Sequence, residues 1–175
     1  MTTAASAPFT AACLQYTAGP DPEPNLLLVT DLARRARDSG ADLIMTPEVS
    51  NFIESGRRRR DKARPESGDP FLAGMRELAR ELGAWLLLGS LVIDPAGEAG
   101  TAAGESRLAN RSFLIDAGGA IVARYDKIHM FDIDLAGGES YRESSAYRPG
   151  GSTAVAETPW GRLGMSVCYD VRFPH

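Results

Sequence analysis

Cysteine and histidine are scarce in this chain, two of each among 175 residues, and that scarcity excludes several kinds of protein at once. Cys13 and Cys168 make no disulfide framework, so a reduced, cytoplasmic protein is the default expectation. Cys13, His129 and Cys168 have none of the spacings of a zinc site. The glycines of Pro149-Gly150-Gly151 do not open a helix after a strand, so they form no phosphate loop. No metal and no cofactor are therefore expected. No apolar run approaches the roughly 20 residues that span a bilayer. The start, Met1 to Pro8, lacks the cationic head and apolar stretch of a secretory signal, and residues 1–8 are expected to be a flexible N-terminus. The net charge of −4 argues against nucleic acid as a partner. The one basic run, Arg57-Arg58-Arg59-Arg60-Asp61-Lys62, has no interleaved aromatics and reads as a solvated face. Neither nucleic acid nor membrane is expected to bind. Repeats and Pro/Ser-rich linkers are missing too. What is present, 43% hydrophobic and 24% charged residues, suits a globular chain with a real core.

Hydrophobic spacing then divides the chain. Phe9 to Tyr16 reads as a first strand, ended by Gly19-Pro20-Asp21-Pro22. Asn25 suits an N-cap, with Leu26, Val29, Leu32, Ala33 and Ala36 at helical spacing up to Gly40. Asp42 to Thr46 is a short apolar strand. Leu72, Met75, Leu78, Ala79 and Leu82 form the stripe of a second helix from Pro70 to Leu82. Ala84 to Ile93 is nearly all apolar, as a central strand covered on both faces would be. After a loop from Pro95 to Ser106, Leu108 to Asp116 and Ala120 to Tyr125 form a hairpin about Gly118-Gly119. Ile128 to Gly151 has little periodicity and reads as a long irregular loop, functional or disordered. Thr153 to Glu157 and Gly161 to Val167 are the last strands. This order implies an α/β fold, a mixed sheet with helices on one face. The other face then needs a cover, either a second half-domain or a second chain.

Three strand ends carry candidate chemistry. Cys168 follows the last strand into the polar turn Tyr169-Asp170-Val171-Arg172, so it is either a small buried hydrophobe or a nucleophile held at a cleft. Glu48 follows Leu43-Ile44-Met45-Thr46-Pro47, as a helix-start acid or as a carboxylate at the mouth of a sheet. Lys127 follows Ile121 to Tyr125, as a solvated lysine or as a fixed ammonium that could stabilise a thiolate and an oxyanion. His129 lies two residues from Lys127 and His175 is terminal, which argues against a papain-like Cys–His pair. Cys13, placed within the first strand, is expected to be inert to alkylation while Cys168 reacts.

Together these segments resemble the signature blocks of the nitrilase superfamily, carbon–nitrogen hydrolases with a Cys-Glu-Lys triad. The resemblance runs from Ala11 to Pro174. It implies Glu48 as general base, Lys127 as stabiliser of the tetrahedral intermediate and Cys168 as thioester-forming nucleophile. It also implies the Tyr169 backbone N–H as a second oxyanion donor and Glu143, in Tyr141-Arg142-Glu143-Ser144, as a positioning carboxylate. Arg172 could meet a substrate carboxylate or lock the turn by pairing with Asp170. Lys127-Ile128-His129-Met130-Phe131-Asp132 and Cys168 to Pro174 are similar to the Nit branch, omega-amidases and deaminated-glutathione amidases. The implied substrate is a small-molecule amide bearing a carboxylate; a nitrilase or carbamoyl-amide hydrolase is the remaining alternative. A homo-oligomer is expected for the full-length form. In that family the domain is a four-layer α-β-β-α sandwich, whereas this chain stops seven residues after Cys168. Residues 1–175 are thus expected to be the N-terminal portion of such a domain, its C-terminal part missing. The competing expectation is a catalytically incompetent fragment or binding module.

Overall fold

Parallel pairing of three strands sets the centre of the fold. The computed structural model describes residues 8–99, 101–102 and 104–174. All of the expected flexible N-terminus but Pro8, together with two residues of the 95–106 loop and the last residue, lies outside them. In chain order come β1 (Ala11–Cys13), α1 (Pro22–Asp38), β2 (Leu43–Met45), α2 (Gly56–Lys62), α3 (Pro70–Leu82) and β3 (Trp85–Ile93). β4 (Ala109–Ile115) and β5 (Ile121–Asp126) follow, then β6 (Asp132–Asp134), β7 (Ser140–Arg142), β8 (Val155–Thr158) and β9 (Gly161–Gly164). The main sheet has the order β1-β2-β3-β4-β5, parallel from β1 to β3 and antiparallel from β3 to β5. The fold is α/β with a mixed sheet.

Helices α1 and α3 cover one face. Val29 and Ala33 of α1, and Phe71, Met75 and Leu78 of α3, pack on Ile44, Leu86, Leu88 and Phe113. Fully burying a side chain such as Phe71 or Met75 contributes about 1.5–3 kcal/mol. Asp69 caps α3 by accepting from Leu72 N at 2.8 Å, Pro70 opens its first turn, and Gly83 at φ 58° closes it in the left-handed region. The opposite face is covered by the β8–β9 hairpin. Ala156, Met165 and Val167 meet Leu43, Leu114 and Tyr125 there, with Trp160 and Leu163 at the margin. A helix layer, the sheet and the start of a further β layer are thereby stacked. Covered on both sides, every residue of β4 is buried.

Four expectations need correction. α1 begins at Pro22 after Asp21, not at Asn25. Proline suits a helix's first turn, and the Asn25 side chain instead clamps the preceding loop, bonding Gly19 N, Gly19 O and Asn51 O. The first strand is confined to Ala11–Cys13, since β1 is an edge with only β2 beside it. The irregular segment 128–151 holds the β6–β7 hairpin and a 3-10 turn, Glu143–Ser145. The last strand ends at Gly164, three residues short of Val167. No helix of the described residues is long and apolar enough to cross a membrane.

Candidate active site

Glu48 stands just past the C-terminal end of β2, in a turn tied down on β3. The β3–β4 register shifts between Leu88 and Leu91, and Ser90 in that irregularity holds the turn. Its Oγ accepts from Val49 N at 2.8 Å and its carbonyl from Ser50 N at 2.8 Å. Gly89 lets the two backbones approach, since a Cβ there would lie 2.4 Å from Thr46 O. Val49 has φ 55°, unusual for a β-branched residue. Glu48 is thus a carboxylate at the mouth of the sheet, not a helix-start acid.

Lys127 leaves the end of β5 with its side chain 2% exposed. Its N–H donates to Asn110 O at 2.9 Å and its carbonyl accepts from Gly150 N at 2.8 Å. Gly150 lies against the strand end, where a Cβ would come within 2.1 Å of Asp126 O. The ammonium donates to Glu48 Oε1 at 3.0 Å, and to Glu143 Oε1 and Oε2 at 3.0 and 2.9 Å. Burial alone would push the Lys127 ammonium toward neutrality, but Glu143 and Glu48 more than offset this and hold it above the usual lysine range. A solvated lysine is excluded.

The two carboxylates are held differently. Glu143 Oε1 accepts from Lys127 Nζ and from Asn110 Nδ2 at 3.2 Å, and its Oε2 accepts from Lys127 and from Phe131 N at 2.7 Å. Among the described residues, the N–H groups that reach Glu48 all meet Oε1, from Lys127 and from Asn110 Nδ2 at 2.8 Å. Among the described residues no N–H reaches its Oε2. A carboxylate with both oxygens occupied positions its neighbours, whereas one with a free oxygen can take a proton.

Cys168 opens the 3-10 turn Cys168–Arg172 with φ 48°, a left-handed conformation costing about 1–3 kcal/mol. Asp170 maintains it. Its Oδ2 accepts from Val167 N at 2.9 Å and Tyr125 OH at 2.6 Å, while its Oδ1 accepts from His129 N at 2.9 Å and lies 2.7 Å from His129 Nδ1. The Phe173 ring stacks on His129 at 3.8 Å and closes the turn from outside. Burial and the Glu48 carboxylate push the Cys168 thiol up, with Lys127 pulling the other way. At rest the sulfur therefore keeps its proton, and a base must remove it.

Glu48, Lys127, Glu143 and Cys168 all line one open cleft of about 840 Å³. Asn110, Phe131 and Tyr147 complete its inner wall, and Arg57, Arg59 and Arg60 of α2 with Arg142 form its rim. The basic run is a helix along the cleft, and with Arg57, Arg58 and Arg60 exposed it is also the solvated face that was expected. Arg59 also lies over the Tyr147 ring, 5.1 Å from its centre. Burial pushes the Tyr147 hydroxyl up to about 12, so it stays protonated. Among the described residues no group of three or more His, Cys, Asp or Glu could hold a metal.

Two sequence expectations fail on placement. Arg172 is exposed and outside the cleft, and Asp170 is bonded instead to Tyr125, His129 and Val167, so neither use considered for Arg172 is met. The tight turn points that side chain outward. Cys13 is exposed, because edge-strand alternation puts Ala12 and Leu14 on the core side and turns Cys13 away from it. The Tyr169 ring packs edge-on against Phe131 and Phe173, away from the cleft. Asn110 is a site residue that sequence reasoning missed. Its signal was the polar triplet Asn110-Arg111-Ser112 inside an otherwise apolar strand.

A mixed sheet, helices on one face, and a cysteine beside a Glu–Lys–Glu cluster at the strand ends define the class of fold and site. The carbon–nitrogen hydrolase family pattern matches residues 10–175, and the chain belongs to that family. The deaminated glutathione amidase of Yersinia enterocolitica is 38% identical over 93% of this chain and 55% of its own length. The crystal structure of the Caenorhabditis elegans NitFhit protein superposes with a TM-score of 0.80 at 33% identity, covering 95% of this chain and 39% of that one. A variant of the amidase from Nesterenkonia sp. AN1, at a TM-score of 0.75 and 30% identity over 94% of this chain and 59% of that one, carries acrylamide added at its active-site cysteine. The chain spans about half the length of the curated relatives it matches.

Proposed function

We propose that this chain carries the catalytic centre of an amidase that cleaves a non-peptide C–N bond in a small carboxylate-bearing amide. The observation that carries the proposal is the buried Lys127 ammonium, gripped by Glu48 and Glu143 in the cleft onto which Cys168 opens. As Cys168 Sγ attacks the amide carbon, Glu48 takes the thiol proton. The tetrahedral oxyanion is stabilised by Lys127, with the Tyr169 backbone N–H as second donor. Collapse breaks the C–N bond while Glu48 returns its proton to the leaving nitrogen, so ammonia or an amine departs and a thioester remains. Water, deprotonated by Glu48, then attacks the thioester, and the acid leaves as Cys168 regains its proton. Glu143 holds the ammonium in place throughout.

Anionic substrate preference is supported by the rim. Arg57, Arg59, Arg60 and Arg142 face the cleft although the whole chain is acidic. Relatives named for deaminated glutathione and for omega-amides support the same substrate class. A cytoplasmic homo-oligomer in the full-length form belongs to this proposal, and light scattering tests the assembly. The activity is tested by ammonia release from carboxylated and neutral amides, with intact mass to trap the thioester. Turnover is expected for the carboxylated amide and none for Cys168→Ala. Undiminished turnover by Cys168→Ala would overturn the assignment.

A further inference from the structure

Asn110 sits on β4, 2% exposed, and the steps above make no use of it. Its side-chain amide donates to Glu48 Oε1 at 2.8 Å and to Glu143 Oε1 at 3.2 Å, and its carbonyl accepts from Lys127 N at 2.9 Å. One side chain thus bridges the two carboxylates, and its backbone anchors the ammonium between them. Its Oδ1 is buried and has no partner among the described residues. Turning the amide over would set that oxygen against two carboxylate oxygens, so charge dictates the orientation. A buried acceptor left without a donor marks a residue kept for its other side.

We propose that Asn110 is a positioning residue for the hydrolysis. It holds Glu48 by Oε1, leaving Oε2 as the atom that meets the thiol proton. It also bridges the two carboxylates, so that one ammonium serves both. Glu48 sits on a turn and is a third exposed, so Lys127 alone, which it meets through one oxygen, leaves it free to swing. A base misplaced by about 1 Å costs on the order of a hundredfold in rate. Aspartate, of the same shape, would set a third anion beside one ammonium; leucine, of similar size, would remove the donor.

The turnover part of this inference rests on the amidase reading, while thiol titration does not require it. Asn110→Asp, Asn110→Leu and Asn110→Ser are compared with the parent in a Cys13→Ser background. The measurements are kcat and KM on a carboxylated amide, iodoacetamide alkylation of Cys168 across pH, and Tm. Asn110→Asp and Asn110→Leu are expected to lower kcat on the order of a hundredfold with KM unchanged. Asn110→Asp should also move the alkylation midpoint upward, and Asn110→Ser, which keeps one donor, should recover part of kcat. An unchanged kcat in a folded variant, a loss confined to KM, or an unmoved alkylation profile in Asn110→Asp would overturn the proposal. If Asn110→Leu does not fold, the aspartate and serine variants decide. If the parent hydrolyses no amide, the amidase reading fails, and the alkylation profile of Asn110→Asp alone decides whether Asn110 governs the charge around Cys168.

Discussion

A thiol that must attack a carbonyl sits beside two carboxylates and one ammonium. Burial is the largest influence, and the carboxylates outweigh the cation, so the Cys168 thiol is held above the ordinary thiol range. The reacting sulfur is then generated at the moment of attack by Glu48, not stored as a thiolate. Alkylation of Cys168 in a Cys13→Ser background should accordingly show a midpoint above the ordinary value of about 8.5. Glu48→Gln should bring the midpoint down and Lys127→Met should raise it, because one removes an anion and the other a cation. A wild-type midpoint at or below the ordinary value would refute this electrostatic account. The Cys13 background is needed because that thiol is exposed.

The elements supply rigid ends for these groups. Asp170 ties the Cys168 turn to Tyr125 of β5 and to His129, so the nucleophile and Lys127 hang from the same strand end. Burial alone would raise the Asp170 carboxyl, but its bonds from Tyr125, Val167 and His129 hold it below the usual carboxylate range. A depressed folded value stabilises the fold above the unfolded value of about 3.9, and that contribution disappears as pH falls through the folded value. Wild-type Tm should therefore fall more steeply below about pH 4 than that of Asp170→Asn, whose Tm is already lower at pH 7. Equal slopes in the two melting series would dismiss the turn-pinning role. On the other side of the cleft, Gly89→Ala should destabilise by about 1–3 kcal/mol, since the new methyl meets Thr46 O and the Pro47 backbone. Denaturant unfolding measures this, and a midpoint like wild type would mean that the Glu48 turn shifts freely.

Across the whole molecule the site depends on two docked layers. Trp160 at the hairpin tip stacks on Phe9 at 4.6 Å and meets Trp85 edge-on at 5.8 Å, clamping β8–β9 against the sheet. The chain from that hairpin leads straight into Cys168. Trp160→Ala should cost about 2 kcal/mol, part of the 3–5 kcal/mol of a fully buried tryptophan, or roughly 4–8 °C in Tm. It should also bring the Cys168 alkylation midpoint down toward that of an ordinary thiol, which a remote surface change would not do. On the helix-covered face of β4, beside Ala109 and Phe113, Arg111 is 8% exposed and joins Asp126 at 2.5 Å and Glu98 at 2.7 Å, a buried network set apart from the cleft. It fastens the 95–106 loop to the sheet.

Hydrophobic spacing was enough to recover α3, β3, β4 and β5 and the apolar β2, because side-chain periodicity is a property of neighbouring residues. It also brought Glu48, Lys127 and Cys168 to notice, since a polar residue at the end of an apolar strand is anomalous within a few positions. Local pattern could not show what those residues touch. Lys127 meets Glu48 across 79 positions, and Asn110 meets it across 62, so both contacts depend on sheet register. Only the tertiary structure decided that Glu143 has both oxygens occupied while Glu48 keeps one free, that Asp170 turns to Tyr125 and His129, that Arg172 points outward, and that the arginines of α2 face the cleft. Periodicity says which face of an element is apolar. Which polar groups converge at its end is settled by how the layers pack.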